Sequence, residues 1–264
     1  MPLTGDILAD IALKAGRAIM DIYETDFDVS RKDDDSPVTE ADEKAEGIIL
    51  AALAEADPDL PVIAEESVAA GRIPEHGDRF ALVDPLDGTK EFINKRGEFT
   101  VNIGIIDHGR PVMGVVYAPA LSRLFVAESV SSAWQARAEP GAAVPDEAER
   151  SPLRIRGVNG GLTAIASKSH RTPETDAFLD KFEIGDVISA GSSLKFCLIA
   201  AGEADLYPRM GRTMEWDTAA GQAVVEAAGG RVLQADGAPL LYGKTERGYD
   251  NPHFIVYGDV TPEA

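Results

Sequence analysis

Phe80-Ala81-Leu82-Val83-Asp84-Pro85-Leu86-Asp87-Gly88-Thr89 decides how the rest of the chain is read. The apolar run Phe80 to Val83 predicts a short buried strand. It ends abruptly in two carboxylates three residues apart, with Pro85 and Gly88 fixing a turn around them. A strand end leading into a tight turn projects both side chains into one crevice. Carboxylates held that close repel unless a cation neutralises them. A hard divalent ion with oxygen ligands is the natural one. A plain solvated turn is the alternative, since Asp, Pro and Gly all favour turns.

Further acids gather around this reading. Leu60 to Ala64 predicts another short strand, running into Glu65-Glu66. Trp216-Asp217-Thr218-Ala219-Ala220-Gly221 places an acid at a helix start, beside small residues that permit close packing. Asp42 follows Thr39 on an early helix, in the spacing of a capping box with the shorter acid. Each has a bland reading: Glu65 as surface charge, Asp217 as a helix N-cap. Together they supply the carboxylates that a multi-magnesium phosphoryl-transfer site needs. Phosphatases with an aspartyl nucleophile carry Asp-x-Asp-x-Thr. Here two residues separate Asp84 from Asp87, one of them proline, which favours activated water over an aspartyl-phosphate. There is no P-loop and no His-Glu-x-x-His, and His76, His108, His170 and His253 are not paired at metal-ligand spacing.

The 264-residue chain carries 45 acidic and 25 basic residues, a net charge of −20. Such a surface repels nucleic acid and anionic membrane. The single cysteine, Cys197, excludes an internal disulfide and a cysteine-based zinc site; it fits a reducing cytosol and reads as a core residue. No run approaches the length of a membrane span. Ile7, Leu8, Ile11, Ala15, Ile19 and Ile22 recur at helical spacing and predict an amphipathic helix ending near Tyr23. After a turn-rich connection through Asp33-Asp34-Asp35-Ser36-Pro37, a second helix runs from about Thr39 to Ala56. Thr100 to Ile106, Val112 to Tyr117 and Leu124 to Ala127 predict an antiparallel meander. Residues 138 to 152 read as an exposed loop between two hairpin arms, Ala133 to Arg137 and Leu153 to Arg156. Strands and helices then alternate from Leu162 to Gln234, as in an α/β unit. The expected division is 1–158, α+β, and 159–264, α/β.

The motifs at Glu65-Glu66, Asp84 to Thr89 and Trp216 to Ala220 resemble the signature of the lithium-sensitive, magnesium-dependent phosphatases of the inositol monophosphatase superfamily. Lys90-Glu91-Phe92-Ile93, Gly97 to Ile103, Gly191-Ser192-Ser193-Leu194-Lys195-Phe196-Cys197 and Leu206-Tyr207-Pro208-Arg209 are similar to its bacterial 3′(2′),5′-bisphosphate nucleotidase branch. The resemblance implies a two-domain layered α-β-α-β-α sandwich with the site between the domains. It implies two or three magnesium ions. Glu65, Asp84 and the Leu86 carbonyl would hold one; Asp84, Asp87 and Asp217 would hold a second. Glu65 and Thr89 would orient a water, with Asp42 accepting the Thr89 proton, and the Gly88 and Thr89 amides would face the phosphate. Lys195, Arg209, Ser192 and His170 would bind the nucleotide. Lys195 as a surface lysine and Arg209 as a structural ion pair are the bland alternatives. The implied reaction converts adenosine 3′,5′-bisphosphate to AMP and phosphate, removing a by-product of sulfate activation. Inositol-phosphate hydrolysis is the alternative on the same scaffold, and a non-catalytic metal- or phosphate-binding protein the alternative of another class. The implied location is cytoplasmic, with peripheral inner-membrane association as a variant.

Overall fold

The computed structural model describes residues 2–31, 37–167 and 172–261. The chain opens with helix α1 (Gly5–Tyr23), whose first turn is capped by Thr4 Oγ1 accepting the Ile7 N–H. A two-residue pair, β1 (Ser30–Arg31) and β2 (Pro37–Val38), leads into α2 (Glu40–Ala56). The capping box that the sequence predicts is present: the Thr39 N–H donates to Asp42 Oδ2 at 2.8 Å. The acidic connection between β1 and β2 lies outside the described residues.

Seven strands then form one sheet in chain order: β3 (Val62–Ala64), β4 (Arg79–Asp87), β5 (Thr100–Asp107), β6 (Arg110–Ala118), β7 (Arg123–Ser129), β8 (Ser132–Arg137) and β9 (Ser151–Pro152). Short helices α3 (Glu65–Ala69) and α4 (Thr89–Ile93) follow β3 and β4. Neighbours are antiparallel except β3 and β4. The predicted second hairpin arm is displaced: Trp134 and Gln135 pair with Pro152 and Ser151, ahead of Leu153. Leu153 extends the pairing by one bond to Ala133, but Ile155 has already turned to the Ala228 carbonyl. Arg150 pins the loop by stacking over Trp134 and pairing with Asp6.

The second sheet contains β10 (Leu162–Ser167), β11 (Ile184–Ala190), β12 (Leu206–Arg209), β13 (Arg231–Gln234) and β14 (Phe254–Tyr257), in the order β11-β10-β12-β14-β13. Its helices are α5 (Pro173–Leu179), α6 (Leu194–Ala200) and α7 (Ala219–Ala227). Beyond the alternation predicted from the sequence, a fifth strand, β14, runs antiparallel between β12 and β13.

Leu8, Ile11, Leu13 and Ile19 of α1 and Ile49 and Leu53 of α2 are fully or almost fully buried against one face of the first sheet. Helices α6 and α7 fill the space between the sheets, and α5 packs on the far side of the second. This is the layered α-β-α-β-α arrangement. The middle layer sits tightly on the first sheet. A Cβ on Gly104 would stand 2.8 Å from the Ala219 Cβ, and one on Gly114 would stand 3.0 Å from the Ala220 Cα. Glycine on β5 and β6 facing alanine on α7 lets the helix start reach the sheet backbone.

Candidate active site

Residues three apart in a regular strand point to opposite faces. Asp84 and Asp87 escape this rule through a bulge. Asp84 pairs with Asn102 and Asp87 with Thr100, so four residues of β4 oppose three of β5. Asn102 and Thr100 share a face, and the extra residue returns Asp87 to the side of Asp84. Pro85, with no N–H to give the ladder, lies within the irregularity. The expectation of carboxylates in a turn beyond the strand is thereby corrected: both acids lie within β4. The turn is at Gly88, whose φ of +93° suits glycine alone, and Thr89 begins α4.

Two acids of α2 tie down the loops around these carboxylates. The Thr89 hydroxyl lies 3.4 Å from Asp42 Oδ1 and 3.4 Å from the Leu86 carbonyl. The other Asp42 oxygen takes the N–H and the hydroxyl of Thr39. One turn further along, buried Glu46 accepts the Glu66 N–H and the Ser67 hydroxyl, each at 2.7 Å. These bonds fix the start of α3, where Glu65 stands on the wall of the cleft.

Asp217 comes from the second half of the chain. It closes a single 3₁₀ turn and accepts the Met214 N–H at 2.8 Å, while Thr218 occupies the N-cap position of α7. The plain N-cap reading of Asp217 is therefore replaced by a turn just ahead of the helix. Trp216 is buried with Ile63, Phe80, Leu82 and Ile106 and holds that turn against the first sheet.

Glu65, Asp84, Asp87, Thr89 and Asp217 all line one cleft of about 330 Å³. Burial, reinforced by Glu65, Asp87 and Asp217, raises the Asp84 carboxyl well above the usual carboxylate range. Burial and the charges of Asp87 and Glu65 raise Asp217 in the same way. Among the described residues, no three acidic, histidine or cysteine side chains already stand as a finished coordination sphere. Their donor chemistry nevertheless fits a hard cation. Asp84 engages Oδ1 with the Leu86 N–H, Asp87 engages Oδ2 with Ser193 and Asn102, and Asp217 engages Oδ2 with Met214. Hydrogen bonds among the described residues thus occupy one oxygen of each carboxylate and leave the second. Mutually repelling oxygens in a buried cleft are what a divalent ion stabilises. The Leu86 carbonyl, also expected as a ligand, is in reach of the Thr89 hydroxyl.

The same cleft is also lined by two cations, Lys195 and Arg209. Lys195 is buried, its Nζ 2.6 Å from the Ser192 carbonyl and 5.5 Å from the centre of the Tyr207 ring. Burial, opposed by the Asp87 charge and aided by Arg209, lowers its ammonium to about 8. Arg209 donates through Nη2 to the Arg212 carbonyl, while its buried Nε has no hydrogen-bond partner among the described residues. The surface-lysine reading is excluded by this burial. Arg209 is bound to a backbone carbonyl rather than a carboxylate in the hydrogen bonds described. Ser192 adopts a left-handed φ of +44°, and its hydroxyl is 3.5 Å from the Leu194 N–H. His170 lies outside the described residues.

Cys197 is buried in the core between the sheets, and burial pushes its thiol up. Three further residues at the site were not singled out from the sequence: Glu46, Asn102 and Ser193. Glu46 carried a usable signal. It shares the stripe of Asp42, Ile49 and Leu53 on α2, and an acid on a buried stripe needs partners.

The model of the inositol monophosphatase family matches residues 5–255. The 3′(2′),5′-bisphosphate nucleotidase CysQ of Escherichia coli strain K12 is 44% identical over 253 residues, which cover 95% of this chain and 98% of that protein. The crystal structure of CysQ from Bacteroides thetaiotaomicron superposes with a TM-score of 0.82 at 40% identity, covering 97% of each chain. An inositol monophosphatase from Thermotoga maritima shares the fold, with a TM-score of 0.75 at 24% identity. The match to the family model and these relatives, which span nearly the whole chain, place this protein in the inositol monophosphatase family.

Proposed function

We propose that this protein is a magnesium-dependent 3′(2′),5′-bisphosphate nucleotidase that converts adenosine 3′,5′-bisphosphate to AMP and inorganic phosphate. The observation that carries the reading is one cleft whose lining combines these carboxylates with a buried lysine and an arginine. A substrate with two phosphates, only one of which is cleaved, matches that combination. The nearly full-length similarity to proteins named for this activity supports it.

Glu65, Asp84, Asp87, Asp217 and the Leu86 carbonyl are the groups that would hold magnesium. When bound, magnesium offsets the phosphate charge and makes water a competent nucleophile at neutral pH. The Thr89 hydroxyl, between Asp42 Oδ1 and the Leu86 carbonyl, orients the water. Asp42 accepts the proton that Thr89 Oγ1 releases as Thr89 takes one from the water. Glu65 holds the water from the α3 side. Lys195, Arg209 and Ser192 hold the phosphate that stays on the nucleotide; the two charged donors form the charge-assisted bonds that such an anion prefers. A cytoplasmic role in recycling the by-product of sulfate activation belongs to this reading, and a lone buried thiol suits a reducing compartment.

An inositol monophosphatase would leave Lys195 and Arg209 without a phosphate to hold. Phosphate release in magnesium from adenosine 3′,5′-bisphosphate, its sulfated form, inositol 1-phosphate and fructose 1,6-bisphosphate tests the proposal. It expects the two nucleotides to lead. Faster turnover of inositol 1-phosphate would refute the substrate, and no turnover of any would refute the enzyme.

A further inference from the structure

Asp87 receives an unusual degree of support from across the cleft. The Ser193 N–H donates to its Oδ2 at 2.6 Å, and the Ser193 hydroxyl, with a single proton shared between this oxygen and the Asp217 carbonyl, lies 2.8 Å from it. The Asn102 amide stands 3.4 Å from the same oxygen and 2.9 Å from the Ser193 hydroxyl. That hydroxyl also lies 2.5 Å from the backbone carbonyl of Asp217. Ser193 is therefore placed between two of the candidate metal ligands and touches both. Its own position is set from the other side. The peptide that joins Ser192 to Ser193 accepts the Lys195 ammonium through its carbonyl and gives its N–H to Asp87. The segment is further fixed by Glu98 Oε2, which takes the Gly191 N–H at 2.9 Å; a Cβ on Gly191 would stand 2.5 Å from the Glu98 carbonyl.

We infer that Ser193 is a positioning residue for the metal site: it holds Asp87 Oδ2 so that Oδ1 alone is presented to magnesium, and it locks the Asp217 turn to Asp87. The inference rests on the proposed metal reading and extends it to a residue outside the ligand set. A carboxylate with one oxygen saturated by donors cannot swing to chelate an ion with both. Magnesium demands near-ideal octahedral geometry, so a freely rotating Asp87 would bind it poorly. The buried Ser193 hydroxyl adds little else, because it faces no substrate-binding residue among its hydrogen-bond partners.

The test is magnesium affinity, measured by calorimetry without substrate, on wild type, Ser193→Ala, Asp87→Asn and the double variant. Outer partners of metal ligands typically contribute 10- to 100-fold to affinity. Ser193→Ala keeps the N–H to Asp87 Oδ2 and loses the hydroxyl, so it should weaken magnesium about tenfold, with a metal-free Tm lowered by no more than a few degrees. Asp87→Asn should weaken it further, and adding Ser193→Ala to that background should cost clearly less than it does in wild type, since part of its effect runs through the Asp87 carboxylate. Ser193→Cys, which keeps the shape and donates weakly, should fall between and stands in if the alanine variant does not fold. Wild-type affinity in folded Ser193→Ala or Ser193→Cys would overturn the inference and leave the metal reading intact. So would an equal loss from Ser193→Ala in the wild-type and Asp87→Asn backgrounds. No magnesium binding by wild type, or full binding by Asp87→Asn, would overturn the metal reading itself and this inference with it.

Discussion

Asp42 and Glu46 stand one helical turn apart on α2 and hold different loops: Asp42 meets the Thr89 hydroxyl at 3.4 Å, and Glu46 takes the Glu66 N–H at 2.7 Å. Residues four apart share a helix face. A single rigid turn thus sets the spacing between the α3 loop bearing Glu65 and the α4 loop bearing Thr89. Glu46→Ala would leave the Glu66 N–H and Ser67 hydroxyl unsatisfied at a buried site, at a cost of about 1–3 kcal/mol. The expected result is a Tm several degrees lower and weaker magnesium binding. An unchanged Tm and magnesium affinity would show that α3 needs no such anchor.

Thr89→Ala should remove the hydroxyl between Asp42 and the Leu86 carbonyl. Positioned proton acceptors typically contribute 10²- to 10⁴-fold, so kcat should fall by roughly that amount with little change in KM. Thr89→Ser should recover most of the rate. A rise in KM alone would move Thr89 from the chemistry to binding.

Asp84→Asn should abolish turnover, to below roughly 1% of wild type, a loss of about 2.7 kcal/mol at the transition state. The same change should stabilise the metal-free protein at neutral pH. Burial and its acidic neighbours raise the Asp84 carboxyl, so the folded state binds a proton that the unfolded state has released. Stability from this group is full below the ordinary value of 3.8 and is lost as pH rises through the raised value. Asparagine removes that loss. Calorimetry across pH should show a flatter metal-free stability curve for the variant; an identical curve would contradict it.

Lys195 predicts a pH dependence. Its ammonium falls from 10.5 to about 8 because it is buried. Between those values the unfolded state holds the proton and the folded state does not, so this group's stability contribution rises with pH across that window. For catalysis the sign is opposite. The nucleotide phosphate needs the charged form, so kcat/KM for adenosine 3′,5′-bisphosphate should decline above pH of about 8. Inositol 1-phosphate, with no second phosphate, should lack that limb. A shared limb would assign it to another group.

The acids, the capping box and the layered architecture were legible because they rest on local signals and on motifs with a characteristic order. What was missed depends on partners distant in sequence. The β4 bulge exists only against β5, through the pairing of Asp84 with Asn102 and Asp87 with Thr100. The four-residue strand β14 draws its stability from β12 and β13 on either side. Ser193 sits in a motif that singles out its neighbours Ser192 and Lys195, and its own bonds to Asp87 span 106 positions. Glu46 looks like a surface acid until its stripe on α2 is traced.

The central claim is that the metal-facing carboxylates act on one phosphate while Lys195 and Arg209 hold another. The most direct measurement is kcat/KM of wild type and Lys195→Ala on adenosine 3′,5′-bisphosphate and on inositol 1-phosphate, in one magnesium buffer at pH 7. Losing one charge-assisted contact costs about 2–3 kcal/mol, so the bisphosphate should fall roughly 30- to 150-fold. The monophosphate should fall at least about tenfold less than the bisphosphate, its own loss reflecting only the Ser192–Ser193 peptide that Lys195 also supports. An equal fall on both substrates, or none on either, would contradict the assignment of the second phosphate to Lys195 and Arg209.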